Sequence, residues 1–299
     1  MKKRLLWRYL TLFVLLIGVV VVGGAYEHAA RQAKLDSALS TATYRVDVPA
    51  VISALNRGAD PNTQYQQEKD LSLLHFIQRL FVPRRRNLSQ RGATPSMLQR
   101  TISGAYPGEY HPVGVSDYDA IGEALVIAGA DRHVSVGFSE TPLAAAAAYG
   151  MPRTLLRLLQ RGENPNARDK RGSYPLIGAD AQCTQLLLQQ GASPNVSITD
   201  GRTPLHTAAT TREEGPHIMA ALLAGGANPN FKDKDGCTPL MVAGDPQSAK
   251  LLIQYGADVN ATDNKGMNVC AHAKKYAVSY SAEEHKELMR ILKQHGAKE

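Results

Sequence analysis

Leucine- and alanine-rich runs alternate with short polar phrases along most of this chain, and the runs have a helical period. Leu155, Leu156, Leu158 and Leu159 fall in one run, Leu186 to Leu188 in the next, then Leu222 and Leu223, then Leu251, Leu252 and Ile253. Each run ends on a version of one phrase: Gly162-Glu163-Asn164-Pro165-Asn166, Gly191-Ala192-Ser193-Pro194-Asn195, Gly226-Ala227-Asn228-Pro229-Asn230 and Gly256-Ala257-Asp258-Val259-Asn260. Earlier copies stand at Gly58-Ala59-Asp60-Pro61-Asn62 and, in part, at Gly129-Ala130-Asp131. A glycine directly after an apolar helical run suits a left-handed C-terminal cap. Ahead of the runs stand Thr141-Pro142-Leu143, Thr203-Pro204-Leu205-His206 and Thr238-Pro239-Leu240. Thr is a good N-cap and Pro fits the first helical position, so each of these predicts a helix start. Between units lie Asp200-Gly201, Asp235-Gly236 and Lys265-Gly266, and the Asp-Gly pairs are tight-turn signals. The predicted unit is therefore helix, turn, helix and projecting hairpin. Its recurrence at about 33 residues predicts a stacked array and not a globular enzyme.

The spacing is uneven. The glycines at 129, 162, 191, 226, 256 and 296 are 33, 29, 35, 30 and 40 residues apart. Thr141 to Gly162 is a normal unit, whereas Tyr174 to Gly191 and Thr238 to Gly256 are short by about one helical turn. The loss is expected at the junction of the two helices. It would leave notches near Gly178-Ala179-Asp180 and Gly244-Asp245-Pro246, and drift in a tolerant loop is the alternative. At the C-terminus, Ser281-Ala282-Glu283-Glu284 is a capping box. The helix behind it turns Leu288, Ile291 and Leu292 inward and Glu283, Lys286, Glu287, Arg290 and Lys293 outward, as suits a terminal capping unit.

The pattern resembles the ankyrin repeat. The resemblance rests on the Thr-Pro-Leu phrase, the Leu-Leu pair and Gly-Ala-Asp-x-Asn, and it covers roughly residue 35 to the end. One departure is Gly266-Met267-Asn268-Val269-Cys270, which stands where Gly-Thr-Pro-Leu-His would be. The implied fold is an all-α repeat solenoid, an ankyrin stack of helix-turn-helix units with hairpin loops, preceded by a single N-terminal transmembrane helix. The organisation expected is 1–25 anchor or signal sequence, 26–132 irregular repeats, 133–262 regular repeats and 263–299 C-terminal cap. In the irregular part, residues 35–44 and Val48 to Asn62 make a first unit. Ser72-Leu73-Leu74-His75-Phe76 then imitates the Thr-Pro-Leu-His phrase, and its second helix is Asp117 to Ala128. An insertion at about 82–116 separates these two, with Thr94-Pro95-Ser96-Met97-Leu98 able to start a short helix inside it. Insertions of this length are usually functional or disordered.

Residues 1–25 are a separate object. Lys2, Lys3, Arg4 and Arg8 precede an uncharged stretch from Tyr9 to Ala25. Counted from Leu5, a helix at about 1.5 Å per residue reaches roughly 31 Å, enough for a bilayer core of ~30 Å with Arg8 snorkelling to the interface. The segment also reads as a signal peptide, with small residues Gly23 and Ala25 in cleavage positions. The positive flank stays cytoplasmic in either case. The array then lies on the periplasmic or extracytoplasmic side, as a single-pass inner- or cell-membrane protein or as a protein released after cleavage near Ala25.

Charge and candidate chemistry narrow the function. The net charge of +7 is concentrated at the start, and the chain after residue 25 carries thirty basic and twenty-seven acidic side chains. That balance argues against nucleic acid, which needs a concentrated basic face. Cys183, Cys237 and Cys270 lie in different repeats and form no metal-like pair, so they are expected reduced and buried. No nucleophile elbow, phosphate loop or His-x-x-x-His set occurs. Asp117, Asp119 and Glu123 read as the acidic first turn of a helix. The reading is a non-enzymatic protein-binding module with no cofactor, metal or small-molecule substrate. Candidate contact residues are Arg171, Asp200, Arg202, Lys232, Lys234 and Lys265 at hairpin tips of mixed sign, with Arg85, Tyr106 and Tyr110 in the insertion. The plan is similar to that of bacterial envelope ankyrin proteins, some of which are immunity partners of secreted lipases. That likeness implies an inhibitor or immunity protein, and a scaffold or assembly factor for an envelope complex is the other reading.

Overall fold

The computed structural model of the chain describes residues 24–25, 27–63, 98, 101, 115–131, 141–212, 214–275 and 281–298. Residues 1–23 of the expected anchor, the phrase at Ser72 and most of the expected insertion, including Arg85, Tyr106 and Tyr110, lie outside these. Among the described residues there is no strand, and a single isolated bridge pairs Thr262 with Asn268.

Helix α1 runs over 27–45 and is followed by α2 (Val48–Asn56) and α3 (Val115–Ile127). Then come α4 (Pro142–Ala148), α5 (Pro152–Gln160), α6 (Ala181–Gln189), α7 (Pro204–Thr210) and α8 (Gly215–Ala224). A 3₁₀ turn (Pro239–Val242), α9 (Pro246–Gln254), α10 (Val269–Lys275) and α11 (Ala282–Gln294) complete the order. Helices α2, α3, α5, α6, α8, α9 and α11 form one row in which each touches the next. On the other row, α7 touches the 3₁₀ turn and the turn touches α10. Buried side chains from Leu39 to Leu292 join in one continuous cluster, the core expected of stacked repeats. Leu155, Leu158, Leu187, Leu205, Leu222 and Leu252 are fully buried, each stabilising by about 1.5–3 kcal/mol. Leu98 and Thr101, from within the expected insertion, are helical and buried, and Leu98 joins this core.

The helix starts follow the predicted chemistry. Thr141 Oγ1 accepts the Ala144 N–H at 3.2 Å, and Thr203 opens α7. The Ser281–Glu284 capping box opens α11. Where the family phrase is absent, Asn268 takes the role of Thr, its Oδ1 accepting the Ala271 N–H at 2.9 Å. The short units differ from the expectation. The missing residues do not come from the junction alone, because the first helix itself is reduced to one turn, at 175–178 in one unit and Pro239–Val242 in the other. In both, a backbone N–H at the junction reaches a carbonyl at the end of the preceding unit's first helix: Asp180 to Ala147 at 3.3 Å and Gly244 to Ala209 at 2.8 Å. In both, an Asp then caps the second helix, Asp180 on Cys183 and Asp245 on Ser248.

The final Asn of the repeated phrase joins one unit to the next. Asn195 Nδ2 donates to the Gly226 carbonyl at 3.1 Å, while its Oδ1 accepts the Asn228 N–H at 2.8 Å. Asn166 makes the same pair of bonds to Gly191 and Ser193, Asn230 to Gly256 and Asp258, and Asn260 to Gly296 and Lys298. Asn62 makes it to Gly129 and Asp131, across the expected insertion. At the start of the array no such Asn precedes α2, and α1 supplies the two halves from separate residues. Gln32 Nε2 donates to the Gly58 carbonyl at 2.9 Å, and Asp36 Oδ1 accepts the Asp60 N–H at 2.8 Å. Helix α1 is thus longer than the expected 35–44, and its added turn carries Gln32 to the clamp.

Candidate binding surface

The tips of the projecting loops place Arg171, Asp200, Arg202, Lys232, Lys234 and Lys265 on successive units, all exposed. Each loop is built around hydrogen bonds to its own backbone. Asp169 Oδ1 accepts the N–H groups of Arg171 and Ser173, Asp233 Oδ1 those of Asp235 and Cys237, and Asp263 Oδ1 those of Lys265 and Met267. Ile198 takes the corresponding place in the second loop, and there Asp200 Oδ1 accepts the Arg202 N–H. Neighbouring loops are stitched together by Lys234 N–H to the Asp200 carbonyl at 3.0 Å and Asn264 N–H to the Asp235 carbonyl at 2.9 Å. They stack closely enough that a methyl group at Gly201 would sit 2.7 Å from the Lys234 nitrogen.

This geometry refines the reading of mixed-sign tips. The carboxylates of Asp169, Asp233 and Asp263 are turned onto loop N–H groups and are not displayed at the rim. The rim shows Lys170, Arg171, Arg202, Lys234 and Lys265, with Asp200 and Asp235 as its exposed acids. Arg202 lies 3.6 Å from Asp200, both half-exposed, a pair worth little in water. Lys232 has a structural task as well, since its ammonium donates to the Thr262 carbonyl of the next loop at 2.8 Å.

Beside the loops, both short units open a cleft where notches were expected. One, of about 150 Å³, is lined by residues including Leu176, Gly178, Asp180, Thr207, Glu214 and Ile218. The other, of about 540 Å³, lies among Arg212, Asp245, Pro246, Gln247, Lys250 and Glu284. Both are open surface features.

His206 braces two units. Its Nδ1 accepts the Thr203 N–H at 3.2 Å, which leaves the proton on Nε2 to donate to the Cys237 carbonyl at 3.1 Å. Burial lowers its pKa below the usual histidine value, so the neutral ring that this bonding requires is the favoured form. The three cysteines form no disulfide and are buried, as expected, and burial pushes the Cys183 and Cys237 thiols up.

Several polar residues with cross-unit roles gave no local signal. Asp119, read as part of an acidic first turn, is buried and caps the neighbouring α5. It accepts the N–H groups of Arg153 and Thr154 at 3.0 and 2.8 Å. Asp117 does lie in the first turn of α3, while Glu123 pairs with Arg157 at 2.9 Å. Lys250 pairs with Glu287 on the C-terminal helix at 3.3 Å. The caps at Asp180 and Asp245 had a detectable signal, an Asp directly before the helix and, at Asp245, a Pro at its first position.

Residues 176–263 match the family model of ankyrin repeats, three copies. The chain is similar to Neurogenic locus notch homolog protein 4 of Homo sapiens, 41% identical over 80 residues, which are 25% of this chain and 4% of that protein. It is similar to Glycerophosphocholine phosphodiesterase gde1 of Schizosaccharomyces pombe, 35% identical over 122 residues, which are 38% of this chain and 11% of that protein. It is also similar to Cyclin-dependent kinase 4 inhibitor B of Mus musculus, 40% identical over 77 residues, which are 24% of this chain and 59% of that protein. The matches therefore span less than two thirds of each relative. The chain carries ankyrin repeats, an architecture suited to binding other proteins. Among the described residues no helix is long and apolar enough to cross a membrane.

Proposed function

We propose that the array is a non-enzymatic inhibitor of another protein, tethered to or exported across a membrane and acting on its far side. The observation that carries the binding face is the rim of loop tips, where Arg171, Lys234 and Lys265 stand exposed while three neighbouring carboxylates are drawn inward. Such a rim fits a partner that presents carboxylates, which steer encounter and fix register. The two clefts beside the short units would receive side chains of the same partner. The inhibitor reading draws support from a short ankyrin relative whose name is that of a kinase inhibitor. Tethering rests on the sequence of residues 5–25.

The test is a crosslinked pull-down from envelope extracts with the full chain and with Lys234→Glu/Lys265→Glu, a double variant that should keep the helical circular dichroism. The expected result is one stoichiometric exported enzyme or toxin that is inhibited by the array and lost with the variant. An array released from residues 1–25 should still inhibit. A multi-protein membrane complex that requires residues 1–25 would replace this reading with the scaffold one. Recovery of no stoichiometric protein would sink both.

A further inference from the structure

We propose that Cys237, Asp263 and His272 form a binding site for a thiophilic divalent transition-metal ion, Zn²⁺ being the natural occupant. The cysteine sulfur, a carboxylate oxygen and an imidazole nitrogen all lie within 4.8 Å of one another. Donors sharing one tetrahedral Zn²⁺ sit roughly 3–4 Å apart, given metal–ligand distances of about 2.0–2.3 Å. Closing onto an ion therefore asks for small side-chain movements.

The ligands come from three places in two successive repeats. Cys237 stands just before the 3₁₀ turn, Asp263 opens the next projecting loop, and His272 lies in α10. The Asp263 and His272 side chains are each 4% exposed, and Oδ2 meets Nε2 at 2.9 Å. The carboxylate is already oriented, because its Oδ1 accepts the Lys265 and Met267 N–H groups at 2.8 and 2.9 Å. Such outer hydrogen bonds hold a ligand in position before the ion arrives. Cys237 is fixed in turn by its own N–H, which donates to Asp233 Oδ1 at 2.8 Å.

The Asp263–His272 pair on its own is a brace between loop and helix. What takes it further is the thiol of the preceding repeat, whose sulfur lies within 4.8 Å of both other donors. A sulfur, a nitrogen and an oxygen suit Zn²⁺ or Co²⁺ far better than Mg²⁺ or Ca²⁺, which want oxygen throughout. The thiol is pushed up by burial and by the carboxylates of Asp233, Asp263 and Asp235. A negative field that opposes a thiolate favours a dication, and a coordinated thiol gives up its proton. On binding, the Cys237 proton leaves to solvent and the ring proton shared with Asp263 moves to Nδ1. Water completes the fourth position. The ion would cross-link the last regular repeat to the capping unit. No short spacing in the sequence announces this site, because the three residues are 26 and 9 positions apart.

The experiment uses the full chain stripped with chelator and titrated with Co²⁺. A thiolate-to-cobalt charge-transfer band should saturate at a single equivalent and be erased by Zn²⁺, and Zn²⁺ should raise the thermal midpoint. Cys237→Ser and His272→Ala should each abolish the band, whereas Cys183→Ser and Cys270→Ser should retain it. Absence of the band in the wild-type chain under excess Co²⁺, or its persistence in Cys237→Ser, overturns the proposal. Should Cys237→Ser not fold, the wild-type chain still decides. Zn²⁺ must slow alkylation of Cys237 more than that of Cys183, and equal protection overturns the site.

Discussion

The joint between α3 and α5 and the joint between α6 and α8 do the same job with different parts. At the second, Asn195 reaches from the end of one loop to the next and holds it by two hydrogen bonds. At the first, the described residues link the helices themselves. Asp119 caps α5 from within α3, the Thr154 hydroxyl donates back to the Asp119 carbonyl at 3.0 Å, Arg157 pairs with Glu123, and Arg161 donates to the Ile127 carbonyl at 2.7 Å. Gly122 lets the two helices come close, since a methyl there would collide with the Thr154 side chain. A clamp on exposed loop atoms competes with water at every bond. A cap inside the helix interface does not, so the two joints should answer very differently to the loss of one side chain.

The largest effect is expected from the pair Asp119→Ala and Asn195→Ala. Asp119→Ala strands two helix N–H groups in a buried interface and removes a favourable charge from a helix N-terminus, at a cost of about 3 kcal/mol. Asn195→Ala frees exposed groups that water can satisfy, at a cost of about 1 kcal/mol. Because stability in a solenoid is carried by nearest-neighbour interfaces, Asp119→Ala should also split one denaturation transition into two. Urea unfolding with amide exchange separates these outcomes, and equal costs for the two variants would end the distinction. Gly122→Ala comes next. Helix propensity alone would make it stabilising by about 1 kcal/mol. The collision with Thr154 predicts a net loss of about 1–2 kcal/mol instead. A more stable variant would show that the interface has slack.

What the sequence made legible and what it hid divide along the same line. Helix starts at Thr141, Thr203 and Ser281 and the ends at the repeated glycine are decided within a few residues, and a linear reading finds them. Asp119, Gln32 and Asp36 act on atoms 24 to 35 positions away, so their roles depend on stacking register. The short units fall between these cases. Their missing residues were countable, but a Pro-Leu start does not say whether the chain will complete a helix or stop after one turn. In both short units the backbone after that turn bonds to the preceding unit, a contact set by stacking and not by the local phrase. The loop tips were legible as exposed positions of mixed charge, whereas the inward turn of the Asp169, Asp233 and Asp263 carboxylates onto their own loops left no signal in the sequence.

A third kind of joint, between α9 and α11, sharpens the contrast because it depends on a partly exposed carboxylate, Glu287, paired with Lys250 and Arg290. Hydrogen bonds from Arg290, assisted by Lys250 and outweighing partial desolvation, hold Glu287 down at about 2, against an ordinary value of 4.5. Hydrogen bonds from the Ser281 N–H and hydroxyl lower Glu284. For Asp263, burial works upward but is outweighed by the Met267 N–H, His272 and the Lys265 N–H, leaving it lowered as well. A carboxyl whose folded pKa lies below its unfolded one contributes stability that is complete above the unfolded value. That contribution is lost as pH falls through the folded value. The C-terminal unit should therefore loosen first in acid, over the interval from about pH 4.5 down to about pH 2. High salt should soften the part contributed by the Glu287 pairs, which are partly exposed to solvent. Amide exchange read by mass spectrometry across an acid series is the measurement. Protection around Leu288 and Leu292 should fall before protection around Leu155 and Leu158. Simultaneous loss at both places would mean that acid acts on the array as a whole, and that the C-terminal ion pairs contribute nothing of their own to the last joint.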